Sequence, residues 1–266
     1  MFEVIEREID TSALRIRYHL APWDAATVGA PVAVISSIEV LDQVAATAEF
    51  SAFQEWYRHN GVALVSCRLP HERLIECGFL ESQGFRFIEL NYRPEHGGLA
   101  QMNLDDSAQY AVERASGADE DSIAEMAGQI FEASRFHHDP MIDSRIGDLR
   151  YRLWVHNAFR NPRQSVLKCH VDGSIVAFFV VEAPQPEYRF WSLVGLAPGM
   201  AGRGIGAMAW RAVMRWHRDE GVRHISTSIS SLNVRVLNLY VKLGFRFPVP
   251  EITLHCCPLG PIRRPE

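Results

Sequence analysis

The stretch 193–206, L-V-G-L-A-P-G-M-A-G-R-G-I-G, places glycines at 202, 204 and 206 behind a Pro198-Gly199 break. Without side chains at those positions, backbone N–H groups can approach an anionic ligand closely. Ile205, Met208, Ala209, Ala212, Val213 and Trp216 follow at helical spacing. The turn therefore opens a helix whose N-terminal dipole and unpaired donors face the same anion. The chemistry implied is phosphate binding. A dinucleotide turn of Rossmann type needs an acidic residue about 20 residues downstream, where this chain has S-T-S-I-S at 226–230. A Walker A loop needs Lys and then Ser or Thr after its last glycine, but Ala207 and Met208 follow Gly206. Neither nucleotide motif fits.

With those excluded, the stretch resembles the acyl-CoA-binding signature of the GCN5-related N-acetyltransferase (GNAT) superfamily, V-x-P-x-x-Q/R-G-x-G-x-G. Leu196, Pro198, Gly202, Gly204 and Gly206 match it position by position, and Ala201 stands where the family has Gln or Arg. The segment 233–245, N-V-R-V-L-N-L-Y-V-K-L-G-F, is similar to the second family signature, N-x-x-A-x-x-L-Y-x-x-x-G-F, with Val236 for its alanine. The resemblance implies a mixed-sheet α/β GNAT fold and acetyl-CoA or another acyl-CoA as cofactor. It also implies cofactor binding by Val194, Leu196, Gly202, Arg203, Gly204, Ile205, Gly206 and Asn233.

Acyl transfer from a thioester to an amine requires a neutral nucleophile, polarisation of the carbonyl and a proton for the departing thiolate. In the family the fourth strand splays at this signature, so backbone N–H groups at Val194 to Leu196 would be free for the thioester carbonyl, and the pantetheine arm would lie there like an extra strand. Asn233 and Tyr240, seven residues apart, share nearly one helix face. The family's tyrosine protonates the thiolate, which makes Tyr240 and Asn233 the catalytic candidates. The competing reading is that Tyr240 is a packed helix residue. The general base stays open among Glu182, Asp139, His137 and His138.

The segment F-E-A-S-R-F-H-H-D-P, 131–140, admits three readings. Adjacent histidines and an aspartate suggest a metal, but such spacing does not converge ligands, and no metal is expected. A solvated loop is the second reading. The third is acceptor recognition by Arg135, Phe136, His137 and His138: Arg135 suits a phosphate or carboxylate, and the histidines could bind hydroxyls or relay a proton. The S-R-F run, Trp154 with Asn157, and A-P-W-D at 21–24 resemble the enzymes that acetylate the amino group of dTDP-4-amino-4,6-dideoxygalactose. That resemblance implies a nucleotide-linked amino sugar as the small-molecule amine acceptor. The alternatives are another small amine (amino acid, peptide N-terminus or aminoglycoside) and a non-catalytic acyl-CoA-binding sensor.

The elements that must position these residues follow from periodicity. In the first hundred residues, strands are expected at 31–40, 62–67 and 85–92, with helices at 44–60 and 71–82 between them. A linker at 94–98 sets the expected division, with an N-terminal α/β domain at 1–105 and a GNAT domain at 106–266. E-S-Q-G-F-R-F at 81–87 echoes V-K-L-G-F-R-F at 241–247, which suggests that the first domain is a partial copy of the second; an unrelated α/β lid is the alternative. The second half reads βααβββαβαβ: a strand at 109–114, helices near 120–131 and 145–158, a hairpin about Asp172-Gly173, a strand at 188–196, the long helix, a strand at 222–229, a helix at 232–243 and a closing strand at 252–256.

Bulk properties narrow the class of partner. A net charge of −5 and no long basic run leave no electrostatic footprint for nucleic acid. Five cysteines without CxxC spacing read as reduced thiols, no apolar run reaches membrane-span length, and no leader pattern begins the chain, so a cytoplasmic protein is expected. A homodimer is compatible with all of this.

Overall fold

The computed structural model describes residues 4–107, 109–202 and 204–264, with the backbone alone at Asp105. The chain begins with β1 (Arg7–Asp10), β2 (Leu14–Leu20) and α1 (Pro22–Val28). Strands and helices then alternate as β3 (Val32–Val40), α2 (Gln43–His59), β4 (Leu64–Pro70), α3 (Leu74–Ser82) and β5 (Arg86–Tyr92). After β6 (Glu95–His96) come β7 (Ala111–Arg114), α4 (Glu120–Ile130), the short α5 (Arg135–His138) and α6 (Ser144–Arg160). The remainder is β8 (Gln164–Val171), β9 (Ser174–Gln185), β10 (Tyr188–Leu196), α7 (Ile205–Asp219), β11 (His224–Thr227), β12 (Ile229–Ser230), α8 (Val234–Lys242) and β13 (Glu251–Cys256). Among the described residues no helix is long and apolar enough to cross a membrane.

These elements form two compact units. The first takes the chain up to Asn91 together with Ala133–Ile146 and the segment from Val249 on. Its strands follow the order β1-β2-β3-β4-β13-β5. β3 and β4 run parallel here, and their ladder has four rungs, from Val32↔Leu64 to Ile35↔Cys67. The core lies under α2 and α3: Phe50 and Phe53 of α2 are fully buried beside Tyr18, Leu80 and Phe85. Burying each phenylalanine contributes about 2–3 kcal/mol, which is why truncating one would be costly.

The second unit comprises Tyr92–Glu132 and Gly147–Pro248, with strand order β6-β11-β10-β9-β8-β7. Here β10 and β11 run parallel, again with four rungs, from Tyr188↔His224 to Trp191↔Thr227. The β8–β9 hairpin closes through Asp172 and Gly173 with φ of 50° and 76°, the conformation that a two-residue turn of this kind requires. Ala209, Trp210, Ala212 and Val213 bury one stripe of α7 against the sheet.

The two units repeat one plan. Residue 64 in the first corresponds to 224 in the second, 74 to 234 and 82 to 242, at constant spacing through the second strand of the parallel pair and the helix that follows. This extends the sequence echo and makes the first unit a partial copy rather than an unrelated lid. Two segments that the sequence reading counts with the second half, 133–146 and 249–266, pack in the first unit. The closing strand is a correction: β13 pairs with β4 and β5, not with the second unit's sheet. In turn β6, within the expected linker, pairs with β11. The alternation of Ile252, Leu254 and Cys256 with Thr253 and His255 specifies a strand, but a period of two carries no information about which sheet receives it.

Candidate functional site

In the second unit the β10–β11 ladder stops at Trp191↔Thr227, while β10 continues to Leu196 with β9 on its other side. The two parallel strands thus part at that rung. Thr227 Oγ1 donates to the Trp191 carbonyl at 2.8 Å and fixes the base of the fork. Beyond it, Val194 and Leu196 are half-buried and Gly195 is buried. A Cβ on Gly195 would stand 2.3 Å from Phe178 Cε1 and 2.4 Å from Ile130 Cδ1, so only glycine fits there. The sequence reading missed this glycine because it precedes the spaced triplet.

The turn after Leu196 carries Gly199, Gly202 and Gly204 at φ of 74°, 83° and 77°, the left-handed region that side chains disfavour. Gly202 and Gly204 are exposed, and Gly204 is the N-cap of α7 with no side chain capping the helix. The first-turn donors therefore remain available to an outside anion. Ile205 and Gly206 begin the helix, half-buried, and a Cβ on Gly206 would meet Leu196 Cδ2 at 3.6 Å and Leu239 Cδ2 at 4.0 Å. Arg203, named with this loop in the sequence reading, lies outside the described residues.

Tyr240 is 2% exposed and packs against Phe245, ring centroids 4.8 Å apart. Burial raises its pKa, while the neighbouring Trp210 indole and Thr227 hydroxyl pull more weakly the other way. The phenol is therefore held in its protonated form, beside the residue where the ladder ends. Asn233, seven residues before Tyr240, caps α8: its Oδ1 accepts from Val236 N at 3.3 Å. Arg211, Arg215 and Arg218 are tied to the 102–110 segment through Asp106, the Asn103 carbonyl, the Tyr110 carbonyl and the Met102 carbonyl.

The acceptor segment of the sequence reading lies in the first unit. Arg135 Nη2 pairs with Asp24 Oδ2 at 2.9 Å, and Nη1 donates to Ser66 Oγ and lies 3.4 Å from His255 Nε2. Phe136 is fully buried under the Arg135 guanidinium, which makes it a packing residue in this structure rather than a surface that a ligand can touch. His137 Nδ1 meets Ser134 Oγ at 2.7 Å, and His138 is exposed. Asp139 turns inward to His255 Nδ1 at 2.9 Å and Arg86 at 3.0 Å. Burial alone would raise the Asp139 pKa, but the hydrogen bonds from His255 and the Met141 amide and the Arg86 charge outweigh it and hold it low. Burial pushes His255 down to about 4, so the ring is neutral at pH 7 and can donate to Asp139. A carboxylate so engaged is a poor general base. The A-P-W-D and S-R-F segments thus meet through Asp24 and Arg135, a pairing that spacing could not reveal.

Residues 128–245 match the model of the acetyltransferase (GNAT) family. Among solved structures, the chain is similar to a tandem GNAT protein from the clavulanic acid biosynthesis pathway, described without AcCoA, at 14% identity and TM-score 0.60, covering 92% of this chain and 79% of that one. It is also similar to a GCN5-related N-acetyltransferase from Kribbella flavida, at 15% identity and TM-score 0.59, covering 97% and 90%. A third likeness is to the GCN5-related glucosamine N-acetyltransferase region of a fungal multi-domain β-N-acetylglucosaminidase, at 11% identity and TM-score 0.62, covering 92% of this chain and 31% of that one. Among curated proteins, none matches the sequence. The chain has the GNAT fold, with an N-terminal partial copy of it.

Proposed function

We propose that this chain transfers an acetyl or other short acyl group from acyl-CoA to the primary amine of a small molecule by direct attack, within the second unit. The observation that carries this is the conjunction at one strand end: a parallel ladder that stops at Trp191↔Thr227, a helix left uncapped at Gly204, and a protonated phenol at the parting rung. The residues suit the cofactor. The N–H groups of the glycine turn and the first turn of α7 would hold its pyrophosphate, and β10 from Val194 to Leu196 offers an unpaired edge for the pantetheine arm. When bound, acyl-CoA supplies an activated acyl group with a thiolate as leaving group. Backbone N–H groups past the fork would polarise the acyl carbonyl. Tyr240 would give a proton to the leaving sulfur, and Asn233 supports it by starting α8 in register.

For the acceptor we favour a nucleotide-linked amino sugar. Support comes from the S-R-F, Trp154/Asn157 and A-P-W-D resemblance and from the structural neighbour described as a glucosamine N-acetyltransferase region. In this reading Arg135 acts by clamping the 21–24 and 134–139 segments through Asp24, leaving exposed His138 as the member of its run that can meet a ligand. A panel of dTDP- and UDP-amino sugars, peptides and aminoglycosides, incubated with acetyl-CoA and followed by thiol release and product mass, tests the class. Acetylation confined to peptides or aminoglycosides would overturn the sugar reading. Acetyl-CoA binding with no turnover on any amine would favour the sensor, which Ala201 in place of Gln or Arg keeps in view. Tyr240→Phe should lower kcat by about 100-fold, the scale of one acid catalyst, with little change in acetyl-CoA affinity. Unchanged kcat would remove Tyr240 from the mechanism.

A further inference from the structure

His217 lies on the buried face of α7 with 1% of its surface exposed, and its Nε2 accepts from the Trp191 indole Nε1 at 3.1 Å. The ring proton is therefore on Nδ1, which faces the Glu220 carboxylate at 3.5 Å. Trp191 is the last residue of β10 in the ladder to β11, and its carbonyl accepts from Thr227 Oγ1 at 2.8 Å. Directly after it the pairing with β9 slips, since Trp191 faces Val181 and Leu193 faces Val180, with Ser192 as the extra residue. Such a bulge disrupts the ladder locally. The stretch that leads to Leu196 has thus left β11 and is irregularly paired to β9, so hydrogen bonds between strands fix its path only in part. Helix α7 runs back along it and meets it at both ends. At one end a Cβ on Gly206 would stand 3.6 Å from Leu196 Cδ2, and at the other is the bond from Trp191 to His217. A strand rises about 16 Å from 191 to 196, and a helix rises about 16 Å from 206 to 217. The two spans match.

Resting on the reading of Val194 to Leu196 as the edge that takes the acyl-pantetheine arm, we propose that His217 is a positioning residue for acyl transfer, holding the Trp191 indole and so pinning the base of the fork. The strand between the two contacts with α7 then keeps its carbonyl-polarising N–H groups in place. The start of α7 holds the phosphates in the same reading, so one helix sets the distance between the two parts of the cofactor site. Without its acceptor the indole N–H becomes a buried donor left unpaired. Trp191 relieves this by shifting, and its carbonyl and the rung with Thr227 shift with it. Donors moved off their line to the acyl oxygen polarise it less. His217 itself touches neither cofactor nor acceptor.

The test compares His217→Leu, which fills the space without an acceptor, with His217→Gln, whose amide oxygen can stand in for Nε2. Calorimetry gives the affinities for acetyl-CoA and for adenosine 3′-phosphate 5′-diphosphate, the fragment that carries the phosphates without the pantetheine arm. In His217→Leu, acetyl-CoA affinity and kcat should each be about 10-fold lower, the scale of one buried donor left unpaired, while the fragment binds as in wild type. His217→Gln should recover most of both losses. Trp191→Phe removes the same bond from the strand side and should lower kcat with the fragment still bound, which carries the test if His217→Leu does not fold. In the Trp191→Phe background His217→Leu should cost no further kcat. Fragment affinity that falls in step with acetyl-CoA, no recovery in His217→Gln, or unchanged kcat in His217→Leu or Trp191→Phe would each overturn the inference and leave the acyl-CoA site standing. If wild type bound neither acetyl-CoA nor the fragment, the parent reading would fall and this inference with it.

Discussion

The two units build the same four-rung parallel ladder and then part company at the next turn. Between β3 and α2 there are two residues, Leu41 and Asp42, and the Asp42 carboxylate accepts from Val44 N at 2.9 Å and Ala45 N at 3.1 Å. Between β10 and α7 the connection is the glycine turn 197–204, and the helix starts at Gly204 with no capping side chain. One helix N-terminus is closed by its own anion; the other is left for an anion from outside. The helices that follow differ in the same sense, since fully buried Leu80 occupies in the first unit the place of Tyr240 in the second. The shared frame therefore does not create a cofactor site. In the function proposed above, turn length, a missing cap and one phenol do.

The largest effect should come from giving α7 the cap that α2 already has. Gly204→Asp forces a side chain into φ of 77°, which costs about 1–2 kcal/mol for an L-residue, and sets a carboxylate against the donors meant for phosphate. Acetyl-CoA affinity measured by calorimetry should fall by about 100-fold or more, the strain and the competing charge acting together. Far-UV circular dichroism should be unchanged. Wild-type affinity in this variant would show that the α7 N-terminus is not the phosphate site.

What the sequence made legible was local and periodic. The glycine turn, the 188–196 strand and the Asp172-Gly173 hairpin are specified by residues adjacent in the chain, and the structure has them where expected. The opening hairpin is less legible: Leu14, Ile16 and Tyr18 alternate with Arg15, Arg17 and His19, so a half-buried strand forms there without any apolar run to mark it. Partners distant in sequence were hidden for a different reason. Nothing near Arg135 announces Asp24 or Ser66, nothing near Thr227 announces Trp191 or Tyr240, and β13 joins β4 across most of the chain. Spacing encodes faces, whereas these pairings depend on topology.

Acid should reveal what the two units have in common. Each buries one histidine with its pKa pushed down to about 4: His255 in the first, between Asp139 and Arg135, and His217 in the second, accepting from Trp191 Nε1 at 3.1 Å. Burial is the leading cause in both. A folded-state pKa below the unfolded value of about 6.5 means that the unfolded chain takes up the proton first. The stability from a neutral buried ring is thus complete above about 6.5 and is lost as pH falls toward about 4. From pH 6.5 to 5.5 each histidine should remove about 1 kcal/mol, a loss visible in calorimetric melting temperatures. Melting that is flat across that interval would mean that the rings are already charged in the fold.

The smallest effect tests the comparison from its other side. Asp42→Ala removes the α2 cap and should cost about 1 kcal/mol, the usual value of an N-cap carboxylate, read as a lower urea midpoint. Asp42→Gly should cost only a few tenths. Both variants free the donors of Val44 and Ala45, which makes the first unit resemble the second at this one point. Even so, a second acetyl-CoA should not bind, because the two-residue connection has no glycines with which to fold a cradle and the unit has Leu80 where the phenol would stand. Calorimetric titration should return one acetyl-CoA per chain for wild type and both variants. Two per chain after uncapping would show that the capping carboxylate alone separates the units and that turn length is incidental.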